Sequence, residues 1–398
     1  MIWNKYTVLD QRITGISGLA LILVIVSIYI HSHLTLFLAI FFLTIAWTNQ
    51  RYLIKAGDRL FFENLYEKTY FFVNNKGQWF INLRNDGLPI INGDLRVFFD
   101  SSVVPVDEES ESSLSMFEIS VPISLYKNQT KQIMIPFSAK CRGIAKIRRL
   151  EFHVPSPLGL GETILESKRF LNQQAVVYPQ PLLVKGLREQ MSMLQGKSIV
   201  PISVFEDRHS PLGTRHYLPS DSFSQIHWKA SARKQFLQTK INEKMTEKGI
   251  NITLNISNGH SLNGEFEELI SGLTEIAYYA FNRQIPYSMC INVRTSGSTP
   301  FLYLSLGEGK EHLQKVLEAL ASISTQNTIL PYEHMLSFYN RHLPVQPILI
   351  HAGIRTEETN RTLLYMAHKG TELFELKIQQ QQGMLGKMPI HQESRKLL

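Results

Sequence analysis

No lysine, arginine, aspartate or glutamate stands between Arg12 and Arg51, and the window holds two apolar runs, Ile13 to Ile30 and Leu34 to Trp47, parted by His31-Ser32-His33. Crossing about 30 Å of hydrocarbon takes about 20 helical residues, with a floor near 17. The first run meets that length and the second does so with its flanks, so the pattern predicts a transmembrane hairpin over about residues 13–30 and 34–50. A cleaved secretory signal is the competing reading, but no small-residue cleavage site follows and a second apolar run continues past the first. Lys5 and Arg12 precede the hairpin and Arg51, Lys55 and Arg59 follow it, which by the positive-inside rule puts both ends in the cytoplasm. His31 and His33 read as a polar interfacial turn, since two ligands alone hold a metal poorly.

After the hairpin the period changes to short β-rich runs: Tyr70 to Val73, Trp79 to Leu83, Leu95 to Phe99, Phe117 to Val121, Gln132 to Phe137 and Ile147 to Val154. Turn signals such as Asn85-Asp86-Gly87 and Asn92-Gly93-Asp94 separate them, which predicts an all-β sandwich-like domain. The acidic, serine-rich stretch from Asp107 to Ser113 reads as a solvated loop within it. From about Ile250 strands alternate with helices. Strands are expected at Ile250 to Ile256, Tyr287 to Val293, Phe301 to Leu306, Pro347 to His351 and Leu373 to Ile378, with helices at Glu265 to Asn282, Glu311 to Ser322 and Thr362 to Lys369. That alternation argues a parallel sheet covered by helices. The resulting division is an anchor over 1–58, a β-sandwich-like domain over 59–180, a signature segment with an α/β domain over 181–380, and a flexible tail over 381–398.

The 398 residues, 44% of them hydrophobic, suffice for two or three cores. Cys141 and Cys290 are the only cysteines and lie far apart, so neither a disulfide framework nor a zinc site is indicated. The net charge of +7 is concentrated: Arg208 to Lys248 carries eight Lys or Arg against Asp221, Glu243 and Glu247, a local +5.

That basic stretch contains Gly213-Thr214-Arg215-His216-Tyr217-Leu218-Pro219-Ser220-Asp221-Ser222-Phe223-Ser224-Gln225-Ile226-His227-Trp228-Lys229-Ala230-Ser231-Ala232-Arg233. It resembles the signature of the domain of unknown function 58 family, R-x-Y-x-P-G-D-x-x-R-x-I-H-W-K-x-x-A-R, with Ser220 in place of the usual glycine and Ser224 in place of an arginine. Cys141-Arg142-Gly143, Pro157-Leu158-Gly159-Leu160 and Val177-Tyr178-Pro179 extend the likeness, which with the anchor and the α/β segment covers nearly the whole chain. The resemblance implies a von Willebrand factor A-like α/β domain and work beside a MoxR-type AAA+ ATPase.

On the residues alone, Asp221 or Ser222 is placed to cap a helix from about Phe223 to Arg233, with Trp228 and Ala232 on one face and Lys229 and Arg233 on another. Three readings stay open. Tyr217, Ile226 and Trp228 are core packing, with Asp221 paired to Arg215 or Arg233; or Arg215, His227, Lys229 and Arg233 form a docking surface for an acidic partner; or Asp221 and His227 act as acid and base of a cell-envelope enzyme. Nucleic-acid binding by residues 208–248 is a further alternative, disfavoured by the membrane tether. No phosphate-cradling Gly-Lys-Ser/Thr loop, Gly-x-Ser-x-Gly elbow or His-Glu-x-x-His helix occurs, so a stand-alone enzyme is not expected. The resemblance also implies a cation-binding Asp-x-Ser-x-Ser motif after the first α/β strand. Here it reads Asn255-Ile256-Ser257-Asn258-Gly259, lacking the carboxylate that a hard cation favours, so neither metal nor cofactor is expected.

Overall fold

The computed structural model describes residues 3–8, 10–63, 66–106, 116–168, 171–195, 206–219, 221–244, 249–258, 261–324 and 326–389. The Asp107 to Ser113 stretch, Ser220 and Gly259 therefore lie outside the described residues. Two compact units divide the chain, Met1–Tyr178 and Pro179–Leu398.

In the first unit, helices Gln11–Ile30 and His33–Lys55 turn back on each other at His31, whose φ of 54° reverses the chain. Both are long and apolar enough to cross a membrane. Their apolar side chains are widely exposed, Ile25 and Ile28 to 68% and Phe37 to 71%, as a lipid-facing surface requires. The second helix runs five residues beyond the expected end at 50, and Asn49, Tyr52 and Leu53 tie its last turns to the β body.

Every expected strand of that body is present, in two sheets. Strand Lys76–Asn85 pairs with Gln129–Ala139 through ten residue pairs, flanked by Leu60–Glu63 and Val103–Pro105. The other sheet is centred on Gly143–Pro155 and Ile90–Asp100. One core joins the two, with Trp79 edge-on to Phe99 at a centroid separation of 5.4 Å and Phe137 4.3 Å from Trp79. The anchor boundary at 58 is corrected at the N-terminus: Trp3–Val8 is a strand of the β body, antiparallel to Glu162–Ser167. Trp3 is 5% exposed, its indole N–H donating to Leu60 O at 2.8 Å, so burial of one aromatic ties the start of the chain to the sheet.

In the second unit, the sheet runs in the order Val184–Lys185, Gln382–Lys387, Glu372–Gln379, Ile348–Ala352, Ile250–Leu254, Tyr287–Arg294, Phe301–Gly307. Its four central members are parallel, whereas Phe301–Gly307 and Gln382–Lys387 each run antiparallel to their inner neighbour. Helices Phe266–Asn282, Gly309–Ser322, Tyr332–His342 and Glu357–His368 connect the strands. A tail starting at residue 381 is overturned: Gln382–Lys387 pairs in register with the strand before it, burying Leu385 to 4%, while positions 390–398 of the expected tail lie outside the described residues. The glutamine run is a hairpin turn, with Gln380 and Gln381 at φ of 48° and 59°.

Candidate functional site

The signature segment folds as a two-stranded hairpin, Glu206–His216 against Gln238–Lys244, holding a helical insert. Arg215 and Thr239 stand opposite each other in that pairing, and Asp221 joins them. Its carboxylate accepts from both Arg215 terminal nitrogens at 2.6 and 2.7 Å, from the Leu218 amide at 3.0 Å and from the Thr239 hydroxyl at 2.9 Å. The Arg215 hydrogen bonds first, then the Leu218 amide, hold the Asp221 carboxyl down to about 2.

The single helix expected from Phe223 to Arg233 is instead two pieces, a 3-10 turn at Phe223–Gln225 and an α-helix at Trp228–Lys234. The break arises because Ile226 forms a β-bridge with Thr239 and the His227 amide donates to Gln238 O at 2.8 Å, which holds the chain extended between them. Capping falls to His227 rather than to Asp221 or Ser222: its Nδ1 accepts from the Ala230 amide at 3.1 Å. Ser231 pins the helix to the returning strand, donating to His227 O at 3.0 Å and accepting from the Gln238 amide at 2.8 Å.

Packing and exposure divide the signature residues differently from the core reading. Ile226 is 2% exposed and Tyr217 half-buried, but Trp228 is 62% exposed and so is not a core residue. Lys229, Ala232 and Arg233 are exposed as well. Around Trp228 in sequence stand further uncovered apolar side chains, Leu218, Phe223, Phe236 and Leu237. His216 stacks on Phe236 at 4.4 Å, and Tyr217 meets Phe223 edge-on at 6.2 Å. Sequence periodicity cannot register this, because an exposed tryptophan and a buried one look alike in a pattern. As acid and base, Asp221 and His227 are poorly placed: the carboxyl is locked ionised by an arginine, and His227 uses Nδ1 as a helix cap.

A second polar centre lies in the α/β sheet. Strand order grows outward in opposite directions from Ile250–Leu254 and Ile348–Ala352, which makes the space beyond their carboxyl ends the topological switch point, where open α/β sheets bind ligands. The Asn255 to Gly259 stretch begins there. Asn255 Oδ1 accepts from the Ser257 amide at 3.0 Å, the Ser257 hydroxyl at 2.7 Å and Asn292 Nδ2 at 2.8 Å, while its Nδ2 donates to Ile354 O at 2.7 Å. Asn292 Oδ1 in turn accepts from the Ile256 amide at 2.9 Å. Gly353, at φ 110°, lies so close that a Cβ would overlap the Asn255 carbonyl oxygen. A divalent cation does not fit this arrangement: the donor set is neutral, and Asn255 Oδ1 is already engaged by three donors. Among the described residues no three His, Cys, Asp or Glu side chains come together as a metal cluster. Beneath the loop, Tyr332 OH lies 2.6 Å from His351 Nδ1 and 2.8 Å from Thr253 Oγ1, and His351 Nε2 lies 3.0 Å from Gly353 O. Asn292, Tyr332 and His351 carried no motif in the sequence that marked them.

No family model matches the chain. The comparison with curated proteins gives no match either. Among solved structures, the sporulation control protein Spo0M of Bacillus subtilis aligns at 13% identity and TM-score 0.19, over 34% of this chain and 56% of that one. A PapD-like domain of human CEP192 aligns at 11% identity and TM-score 0.18, over 30% of this chain and 84% of that domain. A family 123 glycoside hydrolase of Clostridium perfringens aligns at 9% identity and TM-score 0.16, over 78% and 67%. At these scores none of them bears on what this chain does.

Proposed function

We propose that this chain is a membrane-tethered interaction protein whose hairpin module, residues 206–244, docks an acidic partner through Trp228, Lys229 and Arg233. The observation that carries the reading is the 62% exposure of Trp228 on a helix whose own fold is held by other groups, Ile226, Ser231 and the Asp221 to Arg215 pair. A large aromatic left in water beside cations is the composition of an interface anchor, since Trp and Arg dominate binding hot spots. The family resemblance makes a MoxR-type AAA+ ATPase the partner of choice. It also makes the α/β unit a von Willebrand factor A-like adaptor; the reversal of strand order about Ile250–Leu254 and the closed Asn255 network favour an adaptor that works without a cation. Both termini are assigned to the cytoplasm, where such an ATPase would be met.

The test is recovery of that ATPase by the detergent-solubilised chain. Lys229→Glu with Arg233→Glu reverses the patch while exposed substitutions usually stay within about ±0.5 kcal/mol of wild-type stability. Recovery should collapse with the melting temperature unchanged; full recovery would remove the docking reading.

A further inference from the structure

The β body is polarised end to end, and the pairing registers say which end meets the membrane. Helix Gln11–Ile30 has 20 residues, about 30 Å at 1.5 Å per residue, which matches the hydrocarbon thickness. The same count from His33 reaches the level of Tyr52 on the returning helix. Trp47, 59% exposed with the Arg51 guanidinium 5.1 Å from its ring, is an aromatic and cationic anchor at that level.

Three turns of the β body are tied there. Asn49 Nδ2 donates to Leu160 O at 3.0 Å, and Thr163 Oγ1 to Leu53 O at 2.9 Å, which fixes the turn over 156–161. Gly161, at φ 111°, is squeezed between Val8 O and Leu53, so no side chain could stand there. Tyr52 OH donates to Pro89 O at 2.9 Å, holding the turn over 86–89. Asn85, fully buried, links that turn to the next, donating to Leu88 O at 2.8 Å and Leu125 O at 3.2 Å while its backbone oxygen accepts from the Asn128 amide at 2.6 Å. Each turn leaves an apolar side chain uncovered: Leu158 to 55%, Leu88 to 37% and Tyr126 to 62%. The opposite end of the same strands carries Lys76 paired with Ser138, and the exposed Cys141. It stands away by the length of the ten-residue strand Lys76–Asn85, about 30 Å.

We infer that the β body stands end-on on the bilayer, with Leu88, Tyr126 and Leu158 forming a rigid apolar tripod in the lipid interface around the base of the hairpin. The occupant is lipid because the tripod continues the lipid-facing surface of the helices at the depth where that surface ends, and exposed Arg12, Arg51, Lys55 and Arg59 supply the cations that anionic headgroups attract. The inference does not depend on the docking module and survives its failure.

The experiment uses the full chain in vesicles of phosphatidylcholine and phosphatidylglycerol. A bimane label is placed at Leu158→Cys, Tyr126→Cys or Leu88→Cys, each on a Cys141→Ser background, and at Cys141 of the unsubstituted chain as the far-end control; Cys290 is buried. Nitroxide-headgroup lipid should quench the three tripod labels several-fold more than the label on Cys141. Equal quenching at position 158 and Cys141 overturns the inference, and so does quenching at 158 alone. Labels that are shielded from water but not quenched by the lipid would assign the tripod to a protein partner, overturning it as well. Hydroxyl-radical footprinting of the unsubstituted chain gives a reading that no substitution can spoil. Tyr126 should be oxidised far less than Tyr66, which is exposed to 71%, and equal oxidation refutes the contact.

Discussion

Asn255, just past strand Ile250–Leu254, and Asn292, within the neighbouring parallel strand Tyr287–Arg294, meet side chain to side chain, the amide of Asn292 donating to Oδ1 of Asn255 at 2.8 Å. That bond engages the oxygen that an aspartate at position 255 would have to turn toward a cation. Introducing an acid by Asn255→Asp keeps the acceptor but removes the donor to Ile354 O, setting a carboxylate oxygen against a carbonyl. A buried polar group left in that state costs about 1–3 kcal/mol. The variant should therefore melt lower in chelator and recover in magnesium, while the wild-type melting temperature should not respond to magnesium. A magnesium-dependent rise in the wild type, measured by scanning calorimetry, would overturn the reading of a closed neutral network.

The hairpin of helices was legible from two long apolar runs without charge, and the β strands from the short alternating runs and turn signals that the sequence displays. What was not legible depended on partners distant along the chain. The Trp3–Val8 strand pairs with residues more than 150 positions away, and nothing local distinguishes it from a polar leader. The Phe223 to Arg233 stretch has a helical spacing throughout, yet Ile226 and His227 are claimed by Gln238 and Thr239 of a strand whose return the sequence does not announce. The glutamine run looked like a tail because its composition is that of disorder, whereas the Leu385 that follows it is buried in the sheet. In the signature segment an ion pair of Asp221 with Arg215 or Arg233 was foreseeable from charge, but neither the choice of Arg215 nor the exposure of Trp228 was, because chemistry alone does not say which face of a short helix the fold leaves uncovered.

Ile226 and Trp228, two positions apart, should separate cleanly by stability. Ile226→Ala empties a site that is 2% exposed and should cost about 2–5 kcal/mol. Trp228→Ala, at a position 62% exposed, should stay within about ±0.5 kcal/mol. It should nevertheless weaken partner capture by about 2 kcal/mol or more, roughly thirtyfold, if the ring is an interface anchor. Urea unfolding beside affinity measurement decides the matter, and a large stability loss from Trp228→Ala would return the ring to the core.

The basic flanks predict a membrane orientation with both ends of the hairpin in the cytoplasm. Cysteine at Ser32, in the turn between the two helices, should react in intact cells with an impermeant thiol reagent, and cysteine at the exposed Ser296 should not. Labelling at 296 but not at 32 would invert the assignment.

His351 predicts an acid-sensitive α/β unit. Burial pushes its imidazole down to about 3 from 6.5, so the folded chain keeps it neutral across a range in which the unfolded chain binds a proton. Unfolding then takes up a proton between about pH 6.5 and 3, and stability falls as pH falls through that window. His351→Gln should flatten this slope in urea titrations of the unit, and an unchanged slope would assign the acid sensitivity to other groups.

Asp221 gives the last and most local pH dependence. Its carboxyl lies at about 2 in the folded chain against an ordinary 3.8, because Arg215, the Leu218 amide and Thr239 all favour the charged form. A carboxyl whose pKa is depressed on folding contributes stability that is complete above its unfolded value and is lost as pH falls through the folded one. The contribution to the hairpin module should therefore be full at neutral pH, decline below about pH 4 and vanish near pH 2. Asp221→Asn keeps the shape, but its amide cannot accept both Arg215 nitrogens, so the variant should release the hairpin at neutral pH and differ little from wild type near pH 2. Amide hydrogen exchange across residues 213–216 and 238–240 reads this directly, because those strands pair only while the module is closed. Exchange in the variant should be faster at neutral pH and converge with wild type in acid. A difference that persists unchanged to pH 2 would mean that shape, and not the charge of Asp221, holds the two strands together.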